Sequence, residues 1–170
     1  MDKNLDDPFL EALAKGGYQV GELAKYYFSE DPVNEKITVD TLDFEESLRR
    51  TEVMLNQPGK VVIAEAAFKF KNLFIRVDLL VKDNNVINIY EVKAKSISGG
   101  DDFLNAKGTA VLSNWVEYLY DIAFQRFVIS NALTDKNIKV KTHLMLVNKD
   151  VVTSVDGLTN NQAKLCIIIK

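Results

Sequence analysis

The 170-residue sequence has a single cysteine, Cys166, and a single histidine, His143. One cysteine excludes an internal disulfide, a Cys-only zinc site and a four-cysteine iron–sulfur cluster within this chain. An intracellular, reducing compartment, the cytoplasm, is the simpler reading. One histidine excludes a multi-histidine zinc site, and because His143 lies in an apolar strand pattern it reads as structural. No apolar run approaches the ~18 residues that a membrane span needs, and the first thirty residues lack a signal-peptide core. Basic charge is scarce too, with 21 Lys and Arg against 24 Asp and Glu. That balance argues against capture of nucleic acid by bulk electrostatics. It leaves only local groups, Lys69, Lys71 and Arg76 in one stretch and Lys93, Lys95 and Lys107 in another.

What is present suffices for one domain with a buried core, with or without an appendage. Residues 1–36 read as a helical extension that coats the surface. Asp6-Asp7-Pro8 suits a helix start, Gly16-Gly17 ends that helix, and Val20, Leu23, Ala24 and Tyr27 recur at helical spacing in a second, which Asp31-Pro32 terminates. Tyr26 and Tyr27 read as core or interface packing. The main domain, 37–170, opens with a helix capped by Asp40 or Thr41 and closed after Leu55 by Asn56-Gln57-Pro58-Gly59. Its Glu45, Glu46, Arg49, Arg50 and Glu52 read as a solvated, ion-paired face, with approach of one of the acids to a metal as the second reading.

Three strands follow, and each has an acid where a buried strand should have none: Glu65, Asp78 and Glu91, of which Glu65 is either functional or at an exposed position of its strand. Asn84-Asn85 is a two-residue turn signal, since Asn tolerates the left-handed conformation that tight hairpins need. Counting outward from it sets Asp78 opposite Glu91, with Lys93 on the face of Glu91. If Lys71-Asn72 is likewise the first turn, Glu65 falls opposite Asp78 and three carboxylates form a row. At about 5 Å spacing and an effective dielectric near 20, each adjacent pair would cost roughly 3 kcal/mol, a large part of a domain's net stability. A divalent cation removes the objection, and hard oxygen donors suit Mg²⁺, Mn²⁺ or Ca²⁺.

Residues 97–109 read as a polar loop, with Asp101 and Asp102 solvated and, as the second reading, further metal ligands. Ser113 caps a long helix whose Trp115, Leu119, Ile122, Phe124 and Val128 supply apolar surface. Its polar residues Tyr118, Asp121 and Gln125 recur at i, i+3 and i+7, a stripe that can face the carboxylates. A strand over 138–147, a turn over 153–157 and a strand over 165–169 complete the chain. The last strand ends so close to the terminus that a longer native protein is expected.

The order helix, three-stranded meander, long helix, strand, with Asp78 on the second strand and Glu91-Val92-Lys93 on the third, resembles the PD-(D/E)xK nuclease superfamily. The likeness is to its RecB-like branch, which includes CRISPR-adaptation exonucleases. It runs from Gly16 to Val147 and is strongest in RVDLLV, IYEVKAKS and YLYDIAFQRFVI. Val77 stands where the superfamily's name has proline, Ile129 stands where RecB-like helices have tyrosine, and the iron–sulfur cysteines are absent.

This resemblance implies an α/β fold with a restriction-endonuclease-like αβββαβ core, a mixed central sheet flanked by helices, behind the N-terminal helical extension. It implies a metal-dependent DNA nuclease in which Asp78, Glu91 and the Val92 carbonyl hold Mg²⁺ or Mn²⁺, with Glu65 added by register. Lys93 would orient or deprotonate a water and stabilise charge, the electrostatic role being preferred, and Gln125 would fix a ligand or bind phosphate. Lys95, Ser96 and Lys107 are candidate phosphate contacts, with Tyr118 and Asp121 also on the substrate side. The implied partner is DNA, with RNA second, together with a C-terminal module outside this sequence. The competing class is a catalytically inactive nuclease-like module for nucleic-acid binding or assembly. A carboxylate hydrolase of small molecules ranks lower, since paired acids alone favour it.

Overall fold

Three runs rich in Val, Ile, Leu and Phe, separated by the two turns, build an antiparallel meander. The computed structural model describes residues 8–29, 37–98, 103–135, 137–148 and 164–168. Helices α1 (Pro8–Phe28) and α2 (Phe44–Leu55) precede strands β1 (Val61–Phe70), β2 (Leu73–Asp83) and β3 (Val86–Ile97). Helix α3 (Ser113–Ala132) then crosses to β4 (Lys139–Asn148), and β5 (Lys164–Ile168) ends the described chain. The sheet order is β1-β2-β3-β4-β5. β3 and β4 run parallel, and the other neighbours are antiparallel. A parallel pair needs a long crossover, which α3 supplies.

Both turns fall where the sequence places them, with Phe70 paired to Leu73 and Asp83 to Val86. Lys71 (φ 56°) and Asn84 (φ 51°) adopt the left-handed conformation. On one face of the sheet Ile63, Val77, Leu80, Ile87 and Ile89 pack against Val128 and Ile129 of α3. On the other, Ala64, Leu79, Val81 and Tyr90 pack with Phe28 of α1, whose ring lies 4.5 Å from that of Tyr90. The outer edge of β1 is covered in two places. The Val39 amide donates to the Ala64 carbonyl at 2.9 Å, and the Ala67 amide donates to Oγ1 of Thr51 on α2 at 2.8 Å.

Several local expectations are corrected. Gly16-Gly17 does not end a helix, because α1 runs through it as one piece. Glycine costs about 1 kcal/mol relative to alanine in a helix, and the docking of Ala24 and Phe28 on the sheet outweighs that preference. Asp6 and Asp7 lie outside the described residues, as does Asp31-Pro32. Helix α2 is capped by Asp43 rather than Asp40 or Thr41, the Asp43 side chain accepting from the Glu46 amide at 2.8 Å. Ser113 is the first residue of α3; its N-cap is Leu112, which makes no side-chain capping bond. Tyr26 and Tyr27 are exposed, which removes the core half of the core-or-interface expectation, and Phe124 is 44% exposed. β3 runs to Ile97, into the expected loop, and Phe103 stacks on Trp115 with centroids 5.2 Å apart. Asp101, Asp102 and the 153–157 turn lie outside the described residues. The His143 ring stacks on that of Tyr90 at 4.6 Å, with Nε2 3.0 Å from Asn88 Oδ1. Among the described residues no helix is long and apolar enough to cross a membrane.

Candidate active site

The registers of the two hairpins set Glu65 opposite Asp78 and Asp78 opposite Glu91, yet neither pair belongs to a ladder. The β1–β2 ladder passes from Ala64↔Leu79 to Ala66↔Val77, and the β2–β3 ladder stops at Leu79↔Tyr90. The expected flat row of three carboxylates is therefore a splayed region in the sheet. Asp78 bridges it, its Oδ2 accepting the Val92 amide at 2.7 Å.

Glu91 projects beneath α3 and is 5% exposed. Its Oε1 accepts from Lys93 Nζ at 2.5 Å and its Oε2 from Gln125 Nε2 at 2.6 Å. Gln125 is itself only 4% exposed and also donates to Asp121 Oδ1 at 3.3 Å. Lys93 Nζ lies 4.0 Å from Asp121 Oδ2 and 5.7 Å from the centre of the Tyr118 ring. The i, i+3, i+7 stripe of α3 thus meets the carboxylate region as its spacing suggests.

The electrostatics are those of crowded acids. Burial pushes the Asp78 carboxyl above its ordinary range, the Val92 amide and Lys93 opposing the rise and the charges of Glu65 and Asp121 adding to it. Glu91 is also raised, by burial and then by the charge of Asp78, against the bonds from Lys93 and Gln125. For Lys93, burial favours the neutral amine, but the bond to Glu91 and the charges of Glu91, Asp78 and Asp121 outweigh it. Its pKa therefore rises and the ammonium is retained.

Glu65 is turned out of the ladder with φ 59° and its side chain is 46% exposed. Its Oε2 lies 3.4 Å from Arg76 Nε, out of line for a hydrogen bond. Arg76 also donates from Nη1 to the Thr41 carbonyl and from Nη2 to the Val39 carbonyl, each at 2.6 Å. Glu65, Asp78, Leu79 and Val92 share a cavity of about 350 Å³ with Gly17, Tyr18, Gly21, Glu22, Ala24 and Lys25 of α1. Sequence reasoning missed both the cavity and the role of Arg76. An arginine two residues before a strand acid was the available signal for the second; none existed for the first.

The remaining candidates are less closely drawn in. Lys95 Nζ donates to the Asn114 carbonyl at 2.7 Å and sits 4.0 Å over the Trp115 ring, so its ammonium is engaged. Ser96 is exposed, just past a register shift between Lys93 and Ser96. Lys107 is exposed in the turn closed by the Gly108 amide on the Asn105 carbonyl.

The donor set suits a hard divalent ion. It is all oxygen, and the two central carboxyls are raised by burial and by carboxylate charge, which a cation would relieve. A carboxylate offers about four lone-pair directions, so Glu91 retains capacity beyond the two bonds it accepts. The Val92 amide points toward β2, and an extended residue presents its carbonyl on the same edge. Gln125 Oε1 is a buried acceptor that no donor among the described residues satisfies. Among the described residues, however, no three Asp, Glu, His or Cys side chains converge into a ready metal-binding group. Comparison of the chain with protein-family models, curated proteins and solved structures finds no match.

Proposed function

We propose that this chain is a metal-dependent nuclease domain of the PD-(D/E)xK type, hydrolysing phosphodiester bonds in DNA on a restriction-endonuclease-like core. One observation carries the reading. Glu91, buried between sheet and helix, is gripped by Lys93 and Gln125 directly across a splayed hairpin from Asp78. In this reading Asp78, Glu91 and the Val92 carbonyl hold Mg²⁺ or Mn²⁺, with Glu65 at the margin. Such an ion supplies charge neutralisation and a water acidic enough to be a nucleophile near neutral pH.

The chain's own residues divide the remaining work. Lys93 stays protonated among three carboxylates and so acts electrostatically on the phosphoryl oxygens rather than as a base. Gln125 fixes the carboxylate plane of Glu91 from the helix side, and Asp121 in turn holds Gln125. Lys95 stiffens the third strand against Asn114 and Trp115, which leaves Ser96 and Lys107 as the freer phosphate contacts. Cleavage of single- and double-stranded DNA with Mg²⁺ or Mn²⁺ tests the proposal. Asp78→Ala and Lys93→Ala should each abolish it, and activity that survives either change refutes the site.

The second reading is a catalytically inactive nuclease-like module for nucleic-acid binding or assembly. The lack of a three-ligand group among the described residues and the occupation of Lys93 by Glu91 favour it. Metal and DNA binding without cleavage by the wild-type protein would select it.

A further inference from the structure

Glu65 is the one residue of β1 in the left-handed region, midway along a strand. Side chains alternate along a strand, so from Val61 and Ile63 the α3 face should continue with residues 65 and 67. It continues instead with Ala66 and Phe68. β2 changes phase at the facing position: Ile75 and Val77 join that core and so does Leu80, while Leu79 and Val81 turn to the α1 side. Each strand leaves one residue out of the ladder, Glu65 in one and Asp78 in the other.

We infer that Glu65 is a positioning residue that works through its left-handed backbone. By breaking the phase of β1 it frees Asp78 from pairing and lets that carboxylate cross to the Val92 amide. The inference rests on reading Asp78 as a site carboxylate. A left-handed glutamate brings Cβ too close to the following carbonyl, a clash that glycine lacks and asparagine tolerates. Arg76, anchored by the carbonyls of Val39 and Thr41, lies with its Nε against the Glu65 side chain without an in-line hydrogen bond, so the left-handed backbone and not the charge is what the inference rests on.

Amide exchange at Val92, followed by NMR on the metal-free protein, reads the Asp78 bond without substrate or activity. Glu65→Gly and Glu65→Asn should keep Val92 protected. Glu65→Val, whose branched Cβ is excluded from left-handed geometry, should exchange there about tenfold faster, and Asp78→Ala marks the value for a lost bond. If Glu65→Val does not fold, Glu65→Ala should show a smaller change of the same sign. Glu65→Gln, with the same backbone preference and no charge, should match the wild type. Protection that follows charge, lost in Gly, Asn and Gln variants alike, overturns the inference, as does a fully protected Val92 in Glu65→Val. Absence of all DNA cleavage would remove the nuclease reading, yet the exchange ranking would still decide this one.

Discussion

Replacing Gln125 with leucine tests the grip on Glu91 at nearly constant volume, so no cavity term enters. The lost bond, Nε2 to Glu91 Oε2 at 2.6 Å, joins two buried groups, one of them ionisable. Hydrogen bonds to charged groups contribute about 1.5–3 kcal/mol. Leucine recovers part of that through apolar contact beside Ile122, Val128 and Ile129, which leaves a net loss of about 1–2 kcal/mol. For a chain of this size each 1 kcal/mol moves the melting temperature about 2–4 °C, so Gln125→Leu should melt about 2–8 °C lower. The same change made in Glu91→Gln breaks only a neutral bond, for about 0.5–1.5 kcal/mol, so a double-mutant cycle by urea denaturation should show coupling of about 1 kcal/mol. If Gln125→Leu is as stable as the wild type in both backgrounds, Gln125 does not hold Glu91 and the role given to the helix stripe is wrong.

Thr51→Val removes the acceptor of the buried Ala67 amide while keeping the side-chain shape, and should cost about 1–3 kcal/mol in chemical denaturation. A divalent ion that binds only the folded chain stabilises it by about 2.7 kcal/mol at a hundredfold excess over its Kd. Mg²⁺ or Mn²⁺ should therefore raise the melting temperature of the wild type, and Asp78→Ala should erase the rise. Glu46 is pulled from 4.5 down to about 2 by its bonds to Arg49 and then Arg50. A lowered carboxyl contributes stability that is present above 4.5 and lost as pH falls through about 2. Glu46→Gln should therefore flatten the urea midpoint against pH between those values, and an unchanged acid limb would show that this surface triad contributes nothing.

The meander could be counted from the sequence because its turns declare themselves: Asn84-Asn85 names its own geometry, and the period-2 pattern carries the register inward. The helix stripe was equally visible, since Asp121 and Gln125 stand out among aromatics. Other features had no such signal. Glutamate has no special liking for positive φ, so nothing in the residue types around Glu65 announces that both strands change phase there. Gly16-Gly17 is a strong local stop, overruled by contacts between α1 and strands far along the chain. Asp40, Thr41 and Asp43 are all competent caps within four residues, and only the path of the backbone chooses among them. The surfaces of α1 and α3 are rich in apolar residues on more than one side, so Tyr26, Tyr27 and Phe124 could not be placed by periodicity alone.

The edge of β1 bears on how the chain behaves at high concentration. A bare edge strand offers its amides and carbonyls to any other extended chain, and runs such as Val61-Val62-Ile63 and Ala66-Ala67-Phe68 are the kind that self-associate. Here the Val39 amide takes the Ala64 carbonyl and Thr51 takes the Ala67 amide, one on either side of the left-handed residue. The strand is thus denied to a neighbouring molecule on both sides of its kink. Loss of the Thr51 hydroxyl would expose one half of that edge, so the variant that weakens folding is also the one most prone to assemble through its sheet.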